Sequence, residues 1–348
     1  MKVSKIALQI RDRIPISSIH TEDYVSTDNM RPNFGGIEVS SSLPPSGNVT
    51  AYQAGDILLS NIRPYFRKTW FATHSGGCNA DVLCIRADPE KCIPQYLYYL
   101  LTTDNFVEDY LKSCKGAKMP RGNIQRLLDY EFNLPDLPTQ LRIAAILGSI
   151  DEKIELNRKK ITELEALAKT IYDQNLGLNQ CEFTTVGKEV NVITGKRDSN
   201  FATHDGKYRF FTCSKEKLMC DEYEFDGDAI LLSGNGDLHA RFYSGKFNAY
   251  QRTYVLIPRN QRLFSTMFFA VQATLSRLTS GASGSIVKFI TKNNVESISV
   301  PVFSKSTQLI LNDIFREVLC IESDIDELSS LRDTLLPLLM NGQVEVKE

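Results

Sequence analysis

The sequence predicts an α+β protein built as a pseudo-two-fold internal repeat: two similar β-rich domains, each followed by a long helix, with the helices paired as an antiparallel coiled coil. Three observations carry this. The phrase GDILLSN at 55–61 returns as GDAILLSGNG at 227–236, and other phrases recur around it in the same order. Two long stretches step an apolar seam every three and four positions for about five heptads, the second interrupted at Arg332. The chain has 348 residues, more than a single ordinary core accommodates.

The recurring elements follow the chain. DYVSTDN at 23–29 has its counterpart in YRFFTCSK at 208–215, each a strand-like aromatic and β-branched run ending in small polar residues. After the Gly-Asp phrase, CNADVLCIRAD at 78–88 is answered by FNAYQRTYVLIPR at 247–259, where Asn-Ala leads into a strand. Helix-compatible aromatic runs come next, YLYYLLTTDNFVEDYL at 96–111 and STMFFAVQATLSRL at 265–278, then the Gly-Ala loops GAKMPRGNI at 116–124 and GASGSIVKFI at 281–290. FNLPDLPTQLRIAAIL at 132–147 parallels ISVPVFSKSTQLILNDIF at 298–315: a strand ends at proline, and Thr-Gln-Leu opens a helix. Six elements in one order make a repeat.

The helices predict their own partners. From Thr139 to Gln174 the seam runs Ile143, Leu147, Ile150, Ile154, Asn157, Ile161, Leu164, Ala168, Ile171; from Thr307 to Met340 it runs Leu311, Ile314, Val318, Ile321, Ile325, Leu328, Arg332, Leu335, Leu339. An isolated surface helix needs only a stripe of three or four turns, so a seam of this length points to the helices pairing with each other. At 1.5 Å per residue each spans roughly 50 Å. Two domain-plus-helix halves related by a two-fold pair their helices antiparallel and carry the domains at opposite ends of a rod.

Composition narrows the class. Lys and Arg total 40 against 42 Asp and Glu, so any basic surface is local. The eight cysteines include no CxxC pair, and MKVSKIALQI lacks the apolar core of a signal peptide, which predicts reduced thiols in a cytoplasmic protein. Four scattered histidines give no metal-ligand spacing, and no apolar run approaches the ~20 residues that cross a bilayer. The expectation is neither a metal site, nor a cofactor, nor a membrane.

Catalytic motifs are missing from the sequence. ITGKRDS lacks the upstream glycine and the hydroxyl residue of a phosphate loop. A dinucleotide-binding glycine turn, GxSxG, and the Asn-Pro-Pro-aromatic tetrad of amino-methyltransferases are absent too. Pro135-Asp136 before Asp151-Glu152-Lys153 imitates a PD…DxK nuclease pattern, but Asp151 and Lys153 flank the seam of a helix rather than converging from adjacent strands.

Polar and basic residues gather on the β-rich domains. The first offers Asn61, Arg63, Tyr65, Arg67 and Lys68 after its Gly-Asp strand, and Lys115, Lys118, Arg121 and Asn123 in its Gly-Ala loop. The second offers Lys196, Arg197, Asn235, His239 and Arg241, with Ser283, Ser285 and Lys288 in its loop. Any one of these is equally a solvated loop residue. As sets, Arg, Lys and Asn suit base edges and phosphates, and Gly and Ser let backbone approach a sugar-phosphate rail.

With these residues in place, the chain resembles the DNA-specificity subunits of type I restriction-modification systems over nearly its whole length. The most specific marks are GDILLSNIRP, LPDLPTQLRIAAILGSIDEKIELNRKKITELEALAKTIY and the closing LRDTLLPLLMNGQVEV. The resemblance implies two target-recognition domains, residues 1–138 and 179–304, with helices at 139–178 and 305–348. It also implies a bipartite double-stranded DNA target with one half per domain, and no catalysis by the subunit itself. The implied partners are two methyltransferase subunits, and restriction and motor subunits where the system restricts phage DNA. One departure stands out: Tyr24 and Gly55 are 31 residues apart, but Phe210 and Gly227 only 17. Two rivals are a specificity subunit of a fused restriction-methylation enzyme or other phage-defence methylase, and a coiled-coil scaffold whose heads bind protein.

Overall fold

The computed structural model describes residues 1–114, 116, 119–178, 181–203, 206–280 and 289–344. The chain divides into two compact units, Met1–Glu155 with Glu327–Glu348, and Leu156–Asp326. Each long helix thus gives one part to each unit.

In the first unit, β1 (Ala7–Gln9), β2 (Arg13–Pro15), β3 (Tyr24–Val25), β4 (Asn48–Tyr52), β5 (Ile57–Ser60), β6 (Thr69–Phe71), β7 (Gly76–Cys78) and β8 (Val82–Ala87) make two four-stranded sheets, ordered β1-β8-β5-β6 and β2-β4-β7-β3. Helices α1 (Pro94–Leu100), α2 (Asp104–Lys112) and α3 (Ile124–Asp129) follow, and then α4 (Leu137–Gly177). The second unit contains β9 (Glu182–Thr185), α5 (Val186–Glu189), β10 (Ile193–Thr194), β11 (Tyr208–Phe211), β12 (Leu218–Cys220), β13 (Phe225–Ser233), β14 (Ala240–Ala249), β15 (Thr253–Leu256), α6 (Phe264–Ser280), α7 (Lys292–Glu296), β16 (Ser299–Val302) and α8 (Lys305–Met340). One sheet there runs β10-β15-β13-β14-β11-β12, and β9 pairs with β16.

The repeat is visible strand by strand. In each unit the strand of the Gly-Asp phrase lies antiparallel to the strand that follows Asn-Ala: β5 on β8, and β13 on β15. Each unit also has a parallel pairing of strands, β3 with β7 and β11 with β14. The glycine of the phrase is required by backbone geometry, since Gly55 and Gly227 have φ of +91° and +128°, a region that resists any side chain with a Cβ. In the second unit β13 runs on through Gly227, which faces Gly245 across the ladder. In the first unit the strand is interrupted here, β4 ending at Tyr52 and β5 starting at Ile57, and the two enter different sheets.

Both faces of the phrase are buried, which accounts for its continuous apolar run rather than an alternating one. Ile57 and Leu59 face a helical core with Leu97, Leu100 and Phe106, while Leu58 faces a second cluster with Val25 and Cys84. Ile230 and Leu232 likewise face Met267, Phe268 and Val271, and Leu231 faces Phe211 and Phe247. The aromatic helical run is continuous in α6. In the first unit it breaks at Thr103, whose hydroxyl caps α2 by accepting from the Phe106 N–H at 3.3 Å.

Helix α4 starts at Leu137, two residues ahead of Thr139. Pro138 suits a first helical turn, and Asp136 accepts from the Thr139 N–H at 2.9 Å, satisfying a free donor there. None of the eighteen seam residues is fully exposed; Leu147, Ala168 and Leu311 are 0% exposed. In the first unit the start of α4 (Ile143, Ala144, Leu147) packs with the end of α8 (Leu335, Leu339). In the second, the end of α4 (Ala168, Ile171, Tyr172) packs with the start of α8 (Leu311, Ile314, Phe315). The pairing is therefore antiparallel, and Lys160 reinforces it with Glu317 at 2.6 Å.

Candidate nucleic-acid interface

In the first unit the loop leaving β5 and the loop before α3 are tied into one rim. The Gly122 N–H donates to the Asn61 carbonyl at 3.0 Å, the Arg63 N–H donates to the Pro120 carbonyl at 2.8 Å, and Ile62 and Arg121 form an isolated bridge. The Tyr110 hydroxyl donates to Asn61 Oδ1 at 2.8 Å, so the side chain of Asn61 holds the rim from within.

Between these ties a single 3₁₀ turn, Pro64–Phe66, is bracketed by two left-handed residues, Arg63 (φ +47°) and Arg67 (φ +53°). Its carbonyls are held by two more: the N–H of Asn33 (φ +53°) donates to Phe66, and that of Phe34 (φ +58°) donates to Arg67, both at 2.9 Å. These four are all the non-glycine residues of positive φ among the described residues. Each costs on the order of 1–2 kcal/mol, so the surrounding contacts hold the turn in a conformation the free chain avoids.

The side chains on this rim differ in availability. Arg63 is exposed, and its guanidinium has no partner among the described residues. Tyr65 and Phe66 are 49% and 39% exposed, with ring centroids 4.7 Å apart. Arg67 pairs with Asp104 at 2.6 Å, and Arg121 with Asp81 at 2.8 Å. Lys68 donates to the Thr27 carbonyl at 2.6 Å, and burial lowers its pKa against the pull of Asp28. Asn123 is engaged as a cap, with Oδ1 accepting from the Gln125 N–H at 2.9 Å at the start of α3.

The second unit repeats the tie. The Ile290 N–H donates to the Gly234 carbonyl at 3.0 Å, and Asn235 bridges Phe289, as Asn61 and Ile62 meet Gly122 and Arg121 in the first unit. Lys196 and Arg197 reach the same end of the sheet, because the Gln251 N–H donates to Arg197 and the Gly234 N–H to Arg252, its near neighbour in the β14–β15 turn. Lys196 pairs with Glu224 at 2.5 Å, and Arg197 with Glu222 at 2.7 Å while lying 4.3 Å from the Phe201 ring.

His239 and Arg241 form a half-buried pair. Arg241 donates to His239 Nε2 at 2.7 Å, so the imidazole is neutral with its proton on Nδ1, directed to the Asp237 carbonyl at 2.8 Å. Burial, helped by Arg241, lowers the His239 pKa, in keeping with that neutral form. A further Arg241 bond goes to the Ser214 carbonyl, and burial lowers the guanidinium's pKa too. Lys115, Lys118, Ser283, Ser285 and Lys288 lie outside the described residues.

The rims also display apolar groups that the sequence reading passed over: Phe66, Met119 (49% exposed) and Phe289 (64% exposed). The run RPYFRK at 63–68, aromatic rings set between basic residues, was the available signal for the first. Among the described residues no group of three or more His, Cys, Asp and Glu is placed to hold a metal ion, and no helix is long and apolar enough to cross a membrane.

A family model described as the type I restriction modification DNA specificity domain matches the chain twice, over residues 23–166 and 182–324. The EcoDI type I restriction enzyme specificity subunit of Escherichia coli is 32% identical over 169 residues, 46% of this chain and 37% of that one. The HindI specificity subunit of Haemophilus influenzae is 24% identical over 250 residues, 64% of this chain and 54% of that one. The chain thus spans just over half, or less, of the length of these curated relatives. A crystal structure of the type I restriction-modification S subunit from M. genitalium matches all of this chain and 96% of its own with a TM-score of 0.57; at 16% identity, the likeness is one of fold.

Proposed function

This chain belongs to the family of type I restriction modification DNA specificity domains, and from that premise we propose that it is the sequence-reading subunit of a methyltransferase or restriction complex. Each unit reads one half of a bipartite duplex target through its rim. The chain recruits two methyltransferase subunits, and restriction and motor subunits where they are present. The chemistry on DNA belongs to those partners.

The observation that supports this best is the duplicated rim: two loops tied by a matching backbone bond and an isolated bridge at corresponding places in both units, with basic and amide side chains beside each tie. Arginine forks suit guanine O6 and N7 in the major groove, or phosphate oxygens, and asparagine suits adenine. The carboxylates interleaved with them, Asp81, Asp104, Glu222 and Glu224, hold the cations in place and give each a competing partner that only a well-placed phosphate or base displaces.

The test is copurification with a type I methyltransferase subunit, a salt titration of the complex on duplex DNA, and mapping of methylated sites. Affinity should fall steeply and linearly in log salt, since each neutralised phosphate releases counterions. Replacing residues 182–303 with the corresponding segment of another family member should change the bases of one half-site and leave the other intact. A salt-independent affinity, or a graft that alters both half-sites, would contradict the reading.

A further inference from the structure

We infer that the turn at Pro64–Phe66 is an aromatic wedge: Tyr65 and Phe66 enter a base step of the first unit's half-site and partly unstack it, so that this unit reads how readily the step opens as well as its hydrogen-bonding edges. The inference rests on the DNA-reading function proposed above.

Four observations carry it. The two rings are exposed and adjacent, on a turn whose backbone is fixed at both ends by left-handed arginines. A surface turn free to relax would fold such rings down; this one is held open by Asn33 and Phe34, themselves left-handed. Those two residues belong to the longer connection of the first unit, 31 residues from Tyr24 to Gly55 against 17 in the second, and among the described residues the second unit has no left-handed non-glycine residue to make such a brace. Finally, cations flank the rings, with Arg63 unpartnered among the described residues and Arg67 and Arg121 on the same rim. Apolar side chains between phosphate-binding cations suit a duplex whose base step is to be opened, and flexible pyrimidine–purine steps open most readily.

The experiment uses the full chain in complex with its methyltransferase, bound to its mapped target with 2-aminopurine at successive positions. Wild type should raise 2-aminopurine fluorescence several-fold at one step of one half-site. Tyr65→Ser/Phe66→Ser should abolish that rise and weaken binding about 10- to 100-fold, the scale of lost base–aromatic stacking, while the slope against log salt stays unchanged. Phe66→Leu keeps an apolar wedge and should retain part of the rise. Arg63→Ala should keep the fluorescence and flatten the salt slope by about one unit. Specific binding with no fluorescence change at any position overturns the wedge and leaves the DNA-reading function standing. So does a serine variant that binds and fluoresces as wild type, or one that instead loses the methyltransferase. If wild type binds no target, the functional reading itself fails.

Discussion

Asp151 on α4 and Arg332 on α8 meet at 3.0 Å, and the Tyr99 hydroxyl donates to the other carboxylate oxygen at 2.7 Å. This is the aspartate that imitates a nuclease motif and the arginine that interrupts an apolar seam, and each accounts for the other. Burial alone lowers the Arg332 pKa, but Asp151 and Asp333 outweigh it and the net shift is upward. Burial and the neighbouring carboxylate together raise Tyr99. Both oxygens of Asp151 are engaged in holding helices together.

Asp151→Ala should therefore destabilise the first unit, leaving a guanidinium only 19% exposed with Asp333 alone. Breaking a fully buried pair costs ~3–5 kcal/mol, and partial exposure brings the expectation here to about 2 kcal/mol. Adding Arg332→Leu should recover most of it, because leucine restores the apolar seam. Urea unfolding followed by circular dichroism reads both, and an unchanged midpoint in the single variant would show the pair to be solvated.

Gln140 and Gln308 occupy the same place in the two Thr-Gln-Leu motifs, and their substitutions should differ. Gln140 accepts from the Ile93 N–H at 2.9 Å and donates to the Lys91 and Pro135 carbonyls. Gln308 Nε2 is buried without a partner among the described residues. In its unit Asn312 makes the corresponding latch, donating to the Gln261 carbonyl at 3.0 Å and accepting from Ser265. Gln140→Ala and Asn312→Ala should each cost about 1–3 kcal/mol, and Gln308→Leu close to nothing, since it removes a donor left unmet. Equal losses at both glutamines would refute the exchange of roles.

Phe315 should be the most sensitive position of α8. It is 4% exposed, and the rings of Phe242, Phe264, Phe268 and Phe269 lie 4.5–6.1 Å from its own. Phe315→Ala should cost about 3–5 kcal/mol in the second unit, against about 1 kcal/mol or less for Phe315→Leu with local repacking. Thermal melting of the two variants separates these values.

Burial pushes the Cys78 and Cys92 thiols up to about 12 from an ordinary 9.0. The sign follows from linkage. The unfolded chain ionises these thiols near 9.0 while the folded chain holds them neutral, so the stability they contribute is complete below pH 9 and is lost as pH rises towards 12. Both cysteines should resist iodoacetamide at pH 8 in the native protein, whereas the exposed Cys320 should react. Mass spectrometry of the labelled peptides checks this, and rapid labelling of Cys78 would contradict the burial.

Sequence alone determined the repeat, the fold class and the seam. These reside in local patterns: an apolar run of strand length after a positive-φ glycine, and a 3.5-residue period sustained through a helix. It also determined the family, because GDILLSN and the proline-Thr-Gln-Leu phrase sit where backbone geometry and helix initiation leave few alternatives. Only the tertiary structure decided which polar residues are free to act. Arg63, Arg67 and Arg121 look alike in the chain, yet two have carboxylate partners brought from Asp104 and Asp81. Asn123 reads as a contact residue and is a helix cap, and Arg241 is half-buried against His239. The carbonyl of the exposed Phe66 is held by the N–H of Asn33, more than thirty residues earlier. Availability depends on distances between segments remote in sequence, and no local period records them.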